Sequence, residues 1–109
     1  MKGKIVLIPF PFTDLTDSKL RPALVLYEGS RDVVVLFISS RIPLVPSETD
    51  VVLKEGQPGF AESGLKLSSV NKLNKIATLL KELVVGELGF LEEPLKMEVN
   101  TKLNLILKL

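Results

Sequence analysis

Gly3-Lys4-Ile5-Val6-Leu7-Ile8-Pro9-Phe10-Pro11-Phe12-Thr13-Asp14 opens the chain, and Arg21-Pro22-Ala23-Leu24-Val25-Leu26-Tyr27 answers it a few residues later. Lys4 to Ile8 is rich in β-branched and apolar residues and reads as a strand. Pro9 and Pro11 are expected to end it, because proline has no N–H to give a central ladder. From Phe12 to Leu20 the chain is polar, with Asp14, Asp17 and Ser18 as turn formers. Pro22 then stands near the start of a second strand over Ala23 to Tyr27, where proline is tolerated.

Working outward, Gly29, Ser30 and Asp32 predict a hairpin turn into Val33 to Ser39, a strand apolar on both faces and therefore buried on both. Ser40 to Thr49 carries Pro43 and Pro46 with no helical period and reads as a loop. Asp50 to Lys54 is a fourth strand, and Gln57-Pro58-Gly59 is a turn before a short connection from Phe60 to Gly64. Leu65 to Leu73, Ile76 to Leu80 and Val84 to Leu88 are expected as three further strands. After Glu92-Glu93-Pro94 the period changes: Leu95, Val99, Leu103 and Ile106 fall on one helical stripe. Pro94 suits a first helical turn and the two glutamates suit a helix N-terminus. Lys102 beside that stripe is expected to lay its stem on apolar surface with the ammonium in water. The pattern is a mainly β chain of short strands closed by one C-terminal helix, without repeat, low-complexity tract or linker.

Length and composition narrow the classes. At 109 residues the chain is read as one domain over 1–109. An apolar fraction of 46% with 25% charged residues excludes the disordered class. The longest apolar runs are strand-length, so no membrane span is expected, and no signal-cleavage pattern opens the chain. The chain lacks cysteine and histidine, which removes thiol chemistry, the commonest metal ligand and the usual general base at neutral pH. A cytoplasmic location fits the cysteine-free composition. Net charge is +1, so bulk electrostatics do not mark a nucleic-acid binder, although Arg21, Arg31 and Arg41 all lie in the first half.

The opening motif, G-x-I-V into F-P-F-T-D and then R-P-A-L-V-L, resembles the MazF/PemK toxin family. Ile38-Ser39-Ser40, Gly64-Leu65-Lys66 with Ser68-Ser69-Val70, Lys72-Leu73-Asn74-Lys75-Ile76 and Gly86-Glu87-Leu88-Gly89 extend the likeness in order along the chain. The resemblance implies a small SH3-like β-barrel with a C-terminal helix, a homodimer, and the toxin half of a type II toxin–antitoxin pair. It further implies sequence-specific cleavage of single-stranded RNA, and a cognate antitoxin whose flexible tail covers the active groove. No cofactor and no metal are implied.

RNA supplies its own nucleophile when the 2′-hydroxyl attacks the adjacent phosphorus, giving a 2′,3′-cyclic phosphate and a 5′-hydroxyl. The protein then has to move two protons and stabilise phosphoryl charge. Arg21 matches the family's catalytic arginine; read without the resemblance, it is sooner a rim arginine paired with a carboxylate such as Asp14 or Asp17. Ser39 aligns with the hydroxyl residue that contacts the scissile phosphate, against a plain loop-capping serine. Ser40 is its fallback, because a one-residue slip exchanges strand faces. Asp14, Asp17 and Lys19 share the first loop with Arg21 and are candidate base or backbone contacts, or turn and solvated residues. Phe12 and Tyr27 are candidate base-stacking residues, and Arg41 a candidate phosphate contact. Where some relatives carry an arginine and an aspartate, this chain has Ser69 and Asn71, which leaves the acid and base unassigned. The competing reading is a non-catalytic, degenerate or protein-poisoning binding module on the same barrel.

Overall fold

The computed structural model describes residues 1–10 and 19–109. Val33 to Ser39 becomes part of β3 (Asp32–Ser39), with β2 (Lys19–Glu28) on one side and β5 (Ser69–Leu80) on the other. A strand with partners on both sides and cover on both faces has to be apolar on both faces, as this one is. β1 (Lys4–Phe10), β4 (Asp50–Leu53) and β6 (Gly86–Phe90) complete one antiparallel sheet in the order β4-β5-β3-β2-β1-β6. The sheet curls into a half-barrel with α2 (Glu93–Ile106) at its C-terminal end. Among the described residues no helix is long and apolar enough to cross a membrane.

Strand alternation sorts the apolar side chains into two layers. Ile5, Leu24, Leu36, Ile38, Val51 and Leu73 face α2, whose Leu95 and Val99 are buried against them. Each of those two helical side chains contributes about 1.5–3 kcal/mol by leaving water. Val6, Ile8, Ala23, Val25, Val33 and Val35 form the layer on the opposite face. The expected helical stripe is therefore the docking face, with Leu103 and Ile106 half-buried at its end.

Several sequence expectations change. β1 runs through Pro9, which pairs with Leu20, because β6 partners β1 only from Lys4 to Leu7 and the ladder beyond is one-sided. The two strands expected over 65–73 and 76–80 are one strand, β5, irregular where its pairing with β3 shifts between Leu36 and Ile38. Its start lies at Ser69, and residues 65 to 68 form a loop instead. Phe60 to Ser63 makes a one-turn helix, α1, and a short 3-10 turn over Lys81–Leu83 delays β6 to Gly86. The Lys102 ammonium, expected in water, donates to the Asp50 carbonyl oxygen at 2.9 Å and pairs with Glu98 at 3.3 Å. It thereby ties the helix to β4.

Candidate active site

Register decides which candidate residues meet. β2 pairs with β3 through Ala23↔Phe37 and Leu24↔Leu36. Continued toward the strand ends, that register sets Pro22 beside Ile38, Arg21 beside Ser39, and Leu20 beside Ser40. β3 and β5 pair through Ile38↔Asn71 and Ser39↔Val70, which places Ser40 beside Ser69. Two adjacent rows of side chains result on the helix-covered face. One runs Leu7–Pro22–Ile38–Asn71–Val51, and the other runs Leu20–Ser40–Ser69–Leu53. Arg21 and Ser39 belong to the opposite face with Ile8, Arg21's partner on β1.

At this end of the sheet a cleft of ≈ 320 Å³ opens over the Leu7–Pro22–Ile38 and Leu20–Ser40–Ser69 parts of those rows. Its floor includes Leu20, Pro22, Ile38, Ser40 and Ser69; its far wall is the Gly64–Leu67 loop with Leu88 of β6. Arg21 contributes to the wall as well, so the cleft borders the Arg21–Ser39 side of the sheet. Arg21 and Lys66 are exposed, and no carboxylate lines the cleft among the described residues. The far wall is locked by close backbone approach. A Cβ at Gly64 would collide with the Leu88 carbonyl, and one at Gly89 with the Glu62 carbonyl. Gly64 also closes α1 in the left-handed conformation, at φ 73°.

The hydroxyls differ in what they can offer. Ser39 Oγ accepts the backbone N–H of Arg41 at 3.1 Å, which leaves its own proton free to donate. Ser69, buried, donates Oγ–H to the Leu67 carbonyl at 2.8 Å and keeps acceptor capacity. Asn71 is fully buried, and neither its amide nitrogen nor its amide oxygen has a hydrogen-bond partner. An orphaned buried amide is unusual enough to require a reason.

Arg21 and Ser39 thus share one face of this end of the sheet, while Ser40 and Ser69 line the cleft on the other and Asn71 lies buried beside them, with Lys19 and Arg41 exposed nearby on the flanking strand start and loop. Tyr27 does not join them: it is 58% exposed, packs beside Gly29, and lies six residues up β2 from Arg21, roughly 20 Å at strand rise. Phe12, Asp14 and Asp17 fall outside the described residues. Lys66 and the aliphatic walls were not singled out from sequence; only the Gly64-Leu65-Lys66 match pointed at this loop.

Charge elsewhere is structural. Asp50, buried beside Lys72 at 3.6 Å, accepts the Ser47 N–H at 2.9 Å, and that backbone donor is the main reason its carboxyl stays below the ordinary carboxylate range. Glu28 is held down to about 2, first by its hydrogen bond with Lys81 and then by the Met1 amino group, each at 2.6 Å. Neither carboxyl lines the cleft. Among the described residues no three histidine, cysteine, aspartate or glutamate side chains group as a metal site.

Comparison with known proteins agrees with this architecture. A mycobacterial endoribonuclease solved with its cognate antitoxin superposes with a TM-score of 0.74 at 18% identity, covering 100% of this chain and 95% of that one. Toxin MazF-mt6 of Mycobacterium tuberculosis gives 0.74 at 18% identity, with 97% of each chain covered. MazF of Deinococcus radiodurans gives 0.72 at 21% identity, covering 99% of this chain and 96% of that one. No curated protein sequence matches the chain. Identities this low speak for the fold alone, but the family model for PemK-like, MazF-like toxins of type II toxin–antitoxin systems matches residues 1–107. Nearly the whole sequence satisfies that model and folds as its members do, so the chain belongs to the PemK-like, MazF-like toxin family.

Proposed function

We propose that the chain is a metal-independent endoribonuclease toxin that cuts single-stranded RNA beside Arg21. The observation that carries this reading is the convergence of Arg21 with Ser39 on one face, at the border of a cleft floored by Ser40 and Ser69. An RNA strand places its scissile phosphate on the Arg21–Ser39 side. The 2′-oxygen forms a bond to phosphorus, the bond from phosphorus to the 5′-oxygen breaks, and a 2′,3′-cyclic phosphate and a 5′-hydroxyl leave. The proton lost from the 2′-hydroxyl and the proton gained by the 5′-oxygen balance.

Arg21 presents a planar fork to two phosphoryl oxygens and stabilises the charge that develops on them. Ser39 donates its uncommitted proton to the same group. Since the nucleophile comes from the substrate, a metal has no obligatory task in this route. Duplex RNA is excluded, because bases have to splay from the stack to be read. The likeness to an endoribonuclease solved with its antitoxin supports an acidic antitoxin segment that competes for the groove. Exposed Met97 and Leu105 on α2 support a homodimer, for which light scattering at micromolar concentration should find twice the 12.0 kDa chain mass.

The deciding experiment is Arg21→Ala in a cleavage assay with end-group analysis. The expected loss is ~100-fold or more, the scale of one preorganised charge donor. Wild-type cutting by folded Arg21→Ala protein would remove the residue from the site. One observation favours the second reading, a binding module without catalysis: among the described residues no carboxylate lines the cleft. Wild-type protein that binds RNA or a protein target but leaves every phosphodiester intact would establish that reading instead.

A further inference from the structure

Among the described residues two ionisable side chains line the cleft, Arg21 on the sheet side and Lys66 on the far wall. Both are exposed, and neither joins an ion pair with another described residue. The chain has no histidine to stand in for either. The other polar side chains of the lining are Ser40 and Ser69, and Ser69 has committed its proton to the Leu67 carbonyl oxygen.

The backbone on both sides of Lys66 is tied down. Just before it, Leu65 packs against the core, and its N–H donates to Ser63 Oγ at 3.2 Å. Just after it, Ser69 Oγ–H holds the Leu67 carbonyl oxygen at 2.8 Å, and Ser68 Oγ accepts the Glu55 N–H at 2.9 Å. The close approach of Gly64 to the Leu88 carbonyl fixes the same loop to β6. The Lys66 ammonium therefore swings from a fixed point on the wall across the cleft from Arg21. The two cations differ in chemistry. A guanidinium keeps its protons and acts as a fixed, forked charge. An ammonium can give a proton up, which places lysine among the side chains that serve as general acids.

RNA cleavage by the 2′-hydroxyl leaves one task that neither Arg21 nor Ser39 fills: a proton has to reach the 5′-oxygen as its bond to phosphorus breaks. From the lining of the cleft we propose that Lys66 is the general acid that delivers this proton, while Arg21 holds the charge on the phosphoryl oxygens. The proposal rests on the RNA-cutting reading. In the step, an Nζ–H bond of Lys66 breaks and an O5′–H bond forms as the bond from phosphorus to the 5′-oxygen breaks. Lys66 leaves the step as a neutral amine. The proton released by the 2′-hydroxyl passes to water and the amine takes one back from water, so protons balance over a turnover. A 5′-alkoxide is far more basic than an amine, which makes the transfer downhill once the bond to phosphorus has begun to break.

Two substrates test it. A pool of single-stranded RNA first gives a sequence that the wild-type protein cuts; that sequence is then made with its ordinary 5′-oxygen and with sulfur in place of the 5′-oxygen at the cut. A thiolate departs without being protonated, so the sulfur substrate needs no acid. Lys66→Ala should slow cleavage of the ordinary substrate about 100-fold, the scale of a general acid, and cut the sulfur substrate at close to the wild-type rate. Lys66→Arg should bind RNA as the wild type does and repeat both results, because it keeps the charge without a proton to transfer. Arg21→Ala should be slow on both substrates, since the phosphoryl charge develops in either case. Equal losses on the two substrates for Lys66→Ala make Lys66 a mere backbone contact and overturn the proposal. Wild-type cleavage of the ordinary substrate by either folded Lys66 variant also overturns it, and leaves the nuclease reading standing. Wild-type protein that leaves the whole pool intact removes the nuclease reading and this proposal together.

Discussion

Replacing Asn71 by leucine should make the protein more stable, and the size of the gain follows from its surroundings. Asn71 is 0% exposed, and both polar atoms of its side chain lack partners. An unsatisfied buried donor or acceptor costs about 1–3 kcal/mol. Two on one side chain share a single desolvated volume, so about 2–4 kcal/mol is the reasonable total. Leucine removes that cost and adds apolar contact with Ile38, Val51 and Leu73. It is also bulkier, and overpacking a filled core costs about 1–3 kcal/mol. The net expectation is a stabilisation of about 1–3 kcal/mol, or roughly 5–15 °C in Tm for a domain of this size. Asn71→Val, β-branched and suited to a strand, separates the polar from the packing effect and should also stabilise. Asn71→Asp should do the reverse, since it buries a charge without a counterion. Urea denaturation is the assay, with midpoint shifts at constant m-value reporting stability rather than a change in the denatured state. The reasoning fails if leucine and valine both leave the midpoint unchanged or lower it, because the amide would then be satisfied and not orphaned.

Other outcomes follow from the same geometry. Arg21→Lys should retain RNA binding but lose most cleavage, because an ammonium keeps the charge without the planar fork; single-turnover rates beside equilibrium binding separate the two. Cleavage should survive excess EDTA and spare the same sequence in duplex form, and activity restored only by added magnesium would defeat the mechanism. Glu28 has a folded-state value of about 2 against an ordinary 4.5, so its ion pairs contribute stability in full above pH 4.5. That contribution drains away as pH falls toward 2. Glu28→Gln should therefore flatten the acid limb of stability between those values, and an unchanged slope in urea titrations across that window would show the pairing to be inconsequential.

The chain's own letters determine a good deal. β-branched runs broken by proline and glycine specify strands, and the spacing of Leu95, Val99, Leu103 and Ile106 specifies the closing helix and its buried face. The ordered motifs about Arg21-Pro22 and Ile38-Ser39-Ser40 specify the family, since they mark a shared backbone plan. Local pattern cannot show which strands are neighbours or in what register. The merging of residues 69 to 80 into one irregular strand, and the continuation of β1 through Pro9, depend on partners far away in sequence. Tertiary pairing alone decided that Ser39 shares a face with Arg21 while Ser40 lines the cleft, a distinction one residue wide in a structure of period two. The same pairing set Tyr27 apart from the site and laid Asn71 unpaired beside its floor. Burial and hydrogen-bond satisfaction are properties of what surrounds a residue, and a linear sequence does not contain its surroundings.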